Sequence, residues 1–177
     1  MKKLIFSVAI ILTLSLTGCG SSKDKNEAEQ NTKDTASTET VSTKNNETNV
    51  YQDYIQSIGP IMEEIINFGV QWDELRQQSA EGALNDQDFG LKIVNELIPK
   101  NLKLTEKVEL LDVEKELVEI HEKLIDMLNK QSSALSEIAS AIDTNDYSKI
   151  TTANEYLSEV RKIEREYVRE LEKHVEQ

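Results

Sequence analysis

The chain has one cysteine, two prolines, six glycines and few aromatic residues, and these scarcities exclude several kinds of protein. A single cysteine, Cys19, cannot form an intramolecular disulfide, so a small cysteine-stapled secreted domain is excluded. Lys and Arg number 20 against 33 Asp and Glu. This acidic balance excludes a strongly basic nucleic-acid-binding protein, and we expect no nucleic-acid partner. The low content of proline and glycine favours helices.

Long hydrophobic runs are also scarce, and the clearest one lies at the N-terminus. Lys2 and Lys3 precede a run from Leu4 to Leu16, in which 10 of 13 residues are apolar. A helix needs about 20 apolar residues to cross a bilayer, and this run is too short. A positively charged start followed by a short apolar run is typical of a signal peptide, which we assign to residues 1–18.

The residues that end this run, Leu16-Thr17-Gly18-Cys19, resemble the lipobox of bacterial lipoproteins. The resemblance implies cleavage between Gly18 and Cys19 and attachment of a diacylglyceryl group to the Cys19 sulfur. It therefore implies anchoring in the lipid bilayer, on the extracytoplasmic face of the cell membrane. The alternatives are an ordinary secretory signal that a cysteine happens to follow, and a buried free thiol.

Residues 19–49 form a predicted tether between this anchor and the rest of the chain. From residue 20 onward the segment is rich in Lys, Ser, Thr and Asn, and Val41 is its one large aliphatic residue. Such a composition cannot offset conformational entropy by burial, so we expect disorder. The composition resembles that of tethers in Gram-positive lipoproteins.

Residues 50–177 show the apolar periodicity of helices. The predicted helices cover about 50–78, 87–110, 113–142 and 147–175. In the first of them apolar positions alternate by three and four: Tyr51, Ile55, Ile58, Met62, Ile65, Gly69, Trp72 and Leu75. Short connections between long helices predict an all-α, up-down-up-down four-helix bundle. The alternative is a three-helix bundle in which the region around Pro99 is unwound.

Several residues predict where these helices begin, end or bend. Gly59-Pro60 predicts either a bend in the first helix or a start at Pro60. Asp86 or Asp88 is the expected N-cap of the second helix, and Asp112 that of the third. Pro99 lies within the second helix and should kink or split it. Residues 143–146, Asp-Thr-Asn-Asp, predict the turn before the last helix.

Four residues are candidate ligand or recognition sites. His121 lies on the apolar side of the third predicted helix, and Gln131 and Asn154 lie at or beside inward positions. His121 with carboxylates is a possible metal ligand, but the histidine spacing of zinc proteases and di-iron bundles is absent. Trp72 belongs to an aromatic group that forms either core or a recognition groove. We therefore predict no metal site, and we expect His121 to be a partly buried or boundary residue.

No Ser-His-Asp arrangement, calcium loop or phosphate-binding loop is legible, so we expect no enzyme and no cofactor. The leading hypothesis is a non-enzymatic, membrane-anchored helical module that binds a protein partner at the cell envelope. The alternative is a small-ligand or metal-binding protein with a site between the helices near His121, Gln131 and Asn154. A third hypothesis is that the released leader fragment ending in Leu16-Thr17-Gly18 acts as a peptide signal, as in some lipoproteins that it resembles.

Overall fold

The computed structural model describes the backbone of residues 38–175 and the side chains of residues 50–174, and this part of the chain is helical with no strand. We call the stretch Asp86–Glu109 the second helix, because a π-helical turn joins its two α-helical parts. The elements are α1 (Thr38–Ala80), α2 (Asp86–Lys92), the π turn (Ile93–Leu97), α3 (Ile98–Glu109), a 3₁₀ turn (Lys115–Leu117), α4 (Val118–Thr144) and α5 (Lys149–Val175). The predicted all-α four-helix bundle is confirmed, and the three-helix alternative is wrong.

Cross-helix contacts show the antiparallel order of neighbouring helices. On α1 the chain passes from Glu64, which pairs with Lys107, to Gln71, which accepts a hydrogen bond from Lys100. The second helix therefore runs in the opposite direction to α1. Short connections between helices enforce this order.

The helix α1 begins twelve residues earlier than the predicted start at residue 50 and continues through Pro60. The helical backbone of residues 38–49 overlaps the end of the predicted tether, whose earlier residues lie outside the described chain. Extending a formed helix costs little, because each added residue gains a backbone hydrogen bond. Pro60 and Gln56 are exposed, so the carbonyl that lacks a proline N–H partner can be solvated. The expected start at Pro60 is therefore wrong.

The second helix begins with an asparagine cap, where an aspartate was predicted. The Asn85 side chain accepts a hydrogen bond from the Asp88 N–H over 2.8 Å, and its amide donates to the Asp88 carboxylate. Asp86 and Asp88 lie in the first turn, where their charge favours the helix N-terminus. Just before this cap, Gly82 has a φ of 74°, which lets the chain turn after α1.

A π turn lies directly before Pro99, the residue predicted to kink or split the second helix. Ile98 donates its N–H to the Ile93 carbonyl, a bond that spans five residues instead of four. Pro99 lacks an N–H and its ring would clash with the Asn95 carbonyl in a regular α-helix. The wider turn places this irregularity ahead of Pro99, and helical backbone continues on both sides.

The helix α4 begins later than predicted, and α5 begins close to its predicted position. Asp112 does not cap α4, because residues 112–114 are irregular and a 3₁₀ turn precedes Val118. The predicted turn over 143–146 is confirmed by Asn145, whose φ of 51° ends α4 in a left-handed conformation. Asp146 then accepts hydrogen bonds from the N–H and hydroxyl of Ser148 at the start of α5.

The core lies between all four helices and contains most of the predicted apolar positions. On α1 the buried face is wider than the predicted stripe, because it also contains Tyr54, Ile61 and Phe68. Two neighbouring helices cover α1 from different sides, so a broader arc of its surface is protected from water. Among the described helices, none has an apolar stretch long enough to cross a membrane.

Candidate functional site

His121 lies in the interior of the bundle, next to two buried tyrosines. Its side chain is 4% exposed, and the Tyr54 hydroxyl lies 3.2 Å from Nδ1 of the imidazole. The Tyr167 hydroxyl lies 3.2 Å from the Tyr54 hydroxyl. These residues come from α4, α1 and α5 and place a polar cluster inside the apolar core. We call Tyr54, His121 and Tyr167 the tyrosine–histidine cluster.

Each tyrosine hydroxyl in the cluster donates its proton toward His121. Either phenol can donate in the bond between the tyrosines, so the imidazole sets the direction. A neutral imidazole that donates its one N–H to the backbone of Val108 presents Nδ1 as an acceptor, and Tyr54 can donate to Nδ1 only if it accepts from Tyr167. The Tyr54 hydroxyl is then free to donate to Nδ1 of His121. The ring also bonds to the backbone of Val108, and since this bond favours the protonated imidazole, the partner is a carbonyl that accepts the ring N–H. The cluster thus connects all four helices.

Burial determines the protonation states in the cluster. It lowers the pKa of His121 below its ordinary value of 6.5, against the opposing effects of Val108 and the Glu122 carboxylate. It also raises the pKa of both tyrosines. A neutral imidazole and two neutral phenols satisfy every bond in the chain. The arrangement is therefore suited to joining helices, and each of its donors already has an acceptor.

The other predicted polar residues do not join His121 in one site. Gln131 is half-buried, and its Oε1 has no hydrogen-bond partner among the described residues. Asn154 lies beside the buried Ala153 on α5, and its own side chain is exposed. The described residues contain no group of three or more His, Cys, Asp or Glu side chains that could hold a metal ion.

A buried asparagine that the sequence analysis missed connects the second helix to α4. Asn101 is fully buried, and its Nδ2 donates to the Leu128 carbonyl and to the Ser132 hydroxyl over 2.7 Å each. Its Oδ1 has no partner in the described part of the chain. The signal was available, because Asn101 lies between Leu97 and Leu104 at the spacing of the inward stripe.

The aromatic residues form separate groups, not one groove. Trp72 is 9% exposed and stacks on Phe89 with ring centroids 6.1 Å apart. The Arg76 guanidinium covers the indole at 5.4 Å from its centroid. Tyr51 instead stacks on His174 at 3.8 Å. Trp72 thus packs between α1 and α2 as a core residue.

Two surface depressions lie apart from the four candidate residues of the sequence analysis. One of about 370 Å³ is formed by the loop before α2 and the outer side of the second helix, and one of about 200 Å³ lies between α1 and the second helix. Both are open to solvent, and neither is lined by His121, Gln131, Asn154 or Trp72.

The predicted lipidation and cleavage residues, Cys19 and Gly18, lie outside the described residues. Comparison with protein-family models, with curated proteins and with solved structures found no match to this chain.

Proposed function

We propose that the chain is a lipoprotein of the extracytoplasmic membrane face whose helical domain binds another protein of the cell envelope without catalysing a reaction. The observation that carries the proposal is the placement of the only cysteine. Cys19 directly follows a short apolar leader and two small residues. A thiol at this position can be acylated at the membrane surface, and two or more acyl chains give stable anchoring.

The described side chains support the binding part of the proposal. The titratable groups of the tyrosine–histidine cluster bond to one another or to backbone, and Asn101 bonds to α4. Polar residues in such positions specify how helices pair. The long helices also provide extended outer surfaces, and protein binding needs surface area more than it needs a reactive pocket.

The anchor is tested by replacing the thiol. In cells given a fatty-acid label, we expect Cys19→Ser to abolish labelling of the chain and to leave its leader uncleaved. Thr17→Ser is the matched control, because it keeps a small residue before the cleavage point and should be labelled like the wild type. Labelling of Cys19→Ser as strong as that of the wild type would contradict the proposed anchor.

The binding role is tested by cross-linking the acylated chain in intact cells. The control carries the same leader, Cys19 and tether fused to an unrelated helical bundle. A partner that cross-links to the natural chain and not to the control is the expected result. Identical cross-linking patterns for the two chains would contradict a binding role for residues 50–177.

A further inference from the structure

One side of the bundle combines exposed apolar residues of the second helix with serines of α4. Val94 and Leu102 are 49% and 52% exposed, and Ile98 between them is partly buried. The bond from Asn101 to Ser132 places Ser132 of α4 against the turn of the second helix that contains Leu102. We call this surface the neutral face, formed by Val94, Ile98, Leu102, Ser132, Ser133 and Ser136.

The neutral face differs in charge from the rest of the domain. Residues 50–177 contain 27 acidic residues against 14 Lys and Arg, a net charge of −13. None of the six residues of the neutral face is charged, and the charged residues that flank them include Lys103, Glu106 and Glu137. Covering the six residues themselves therefore desolvates no charge, whereas covering most other outer surfaces would.

The serine hydroxyls of the neutral face already have partners. Ser133 donates to the Asn129 carbonyl over 3.1 Å, and Ser136 donates to the Ser132 carbonyl over 2.9 Å. Ser132 accepts from Asn101. Each of these hydroxyls therefore has at least one hydrogen bond within the bundle, which lowers the cost of covering it.

The shape of the neutral face allows two copies of the chain to pack against each other through it. Val94, Ile98 and Leu102 form a ridge of large side chains, and the serines beside them form a strip of small ones. A two-fold axis places the ridge of one copy on the strip of the other, and the reverse contact follows by symmetry. The rim supports this arrangement, because Lys103 borders the ridge and Glu137 borders the strip. Within the described residues neither forms an ion pair.

We propose that the neutral face is an interface between two copies of this chain, in which the second helix of each copy packs on α4 of the other. The net charge of −13 favours this face over others, because two acidic copies repel each other most where their charged surfaces meet. Six central residues are fewer than the 20–30 per side of a typical stable interface, so association is weak and transient in solution. If the chain is anchored as proposed, confinement to a membrane raises its effective concentration.

The first test is sedimentation of the chain from residue 20 to its end, which carries no acyl group and therefore does not depend on the anchor. We expect concentration-dependent dimers that strengthen with salt, because salt screens the repulsion between acidic copies. Leu102→Glu should weaken association at least tenfold. Leu110→Glu is the matched control, since Leu110 is 77% exposed outside the face and its replacement should leave association unchanged.

A charge exchange tests the paired geometry. Lys103→Glu should weaken association, and adding Glu137→Lys to the same chain should restore it. Failure of the double variant to recover would overturn the packing of the second helix on α4. A chain that stays monomeric at all salt and protein concentrations, or dimers that Leu102→Glu does not weaken, would overturn the neutral face as a self-association surface.

A second measurement uses the full acylated chain in cells. Chains with Leu102→Cys and chains with Ser133→Cys, expressed together, should form mixed disulfide dimers, whereas Leu110→Cys with Ser133→Cys should not. Equal cross-linking of the two pairs would contradict the proposed interface. Cross-linking of Leu102→Cys to a different protein instead of to Ser133→Cys would show that another partner covers the face, which also overturns the proposal.

Discussion

The two tyrosines of the tyrosine–histidine cluster form different numbers of hydrogen bonds within it. Tyr54 lies in the middle, since it accepts from Tyr167 and donates to His121, while Tyr167 makes only the outer bond. A buried polar atom left without a partner costs about 1–3 kcal/mol, and a typical lost hydrogen bond costs about 1 kcal/mol. The position of a hydroxyl in the chain therefore determines the cost of removing it.

This difference predicts an order of stability for two matched variants. Tyr54→Phe removes both bonds and leaves the imidazole Nδ1 and the Tyr167 hydroxyl without partners, so we expect a loss of about 2–4 kcal/mol. Tyr167→Phe keeps the bond from Tyr54 to His121 and should cost about 1 kcal/mol. Urea unfolding of both variants measures the two free energies. A larger loss for Tyr167→Phe would contradict the central position of Tyr54 in the cluster.

At the scale of the helices, local residues determine where each element begins and bends. Asn85 bonds to the Asp88 N–H, Asn145 ends α4 in a left-handed conformation, and the π turn lies directly ahead of Pro99. The sequence predicted the turn and the disturbance at Pro99. It did not predict which of several polar residues is the cap, because Asn, Asp and Ser all accept from a free N–H and the path of the loop selects among them.

Replacing the cap tests its contribution to the second helix. We expect Asn85→Ala to lower the free energy of unfolding by about 1 kcal/mol, because the Asp88 N–H loses its acceptor. Asn95→Ala is the matched control: Asn95 is exposed in the π turn, and its change should stay within about 0.5 kcal/mol. Urea unfolding measures both. Equal effects of the two replacements would show that Asn85 is not a cap.

For the whole molecule, protonation of His121 affects all four helices at once. The protonated imidazole needs an acceptor at Nδ1, which reverses the bond from Tyr54 and leaves one phenol proton without an acceptor. Because burial lowers the pKa of His121 in the folded chain, the unfolded chain binds this proton first as the pH falls. The contribution is complete above the unfolded pKa of about 6.5 and is lost below it.

We therefore expect the free energy of unfolding to fall as the pH drops from about 6.5 to 5. The lowered pKa values of Asp146 and Glu170 reduce stability only in the more acidic range in which carboxylates titrate. Urea unfolding across this range, with His121→Gln as the comparison, measures the effect. The variant keeps an acceptor for Tyr54 and should lose the dependence between pH 6.5 and 5. An equally steep dependence in His121→Gln would contradict the role of this histidine.

The sequence by itself determined the features that depend on near neighbours in the chain. Apolar residues three and four apart specify helices, and Asp143 to Asp146 specify a turn. These patterns arise within one or two helical turns, so they are legible without knowing which helices meet.

Only the tertiary structure decided which polar residues meet in the interior. His121 lies 67 residues after Tyr54 along the chain, and Tyr167 lies 113 residues after Tyr54. Asn154 occupies a similar helical pattern and yet lies on the outside. The side of a helix that is buried depends on where its neighbours pack, and the partner of a buried polar group comes from another helix. That information resides in the arrangement of helices, since a local pattern can place a polar residue such as Asn101 on an apolar stripe but does not say which residue of another helix it will meet.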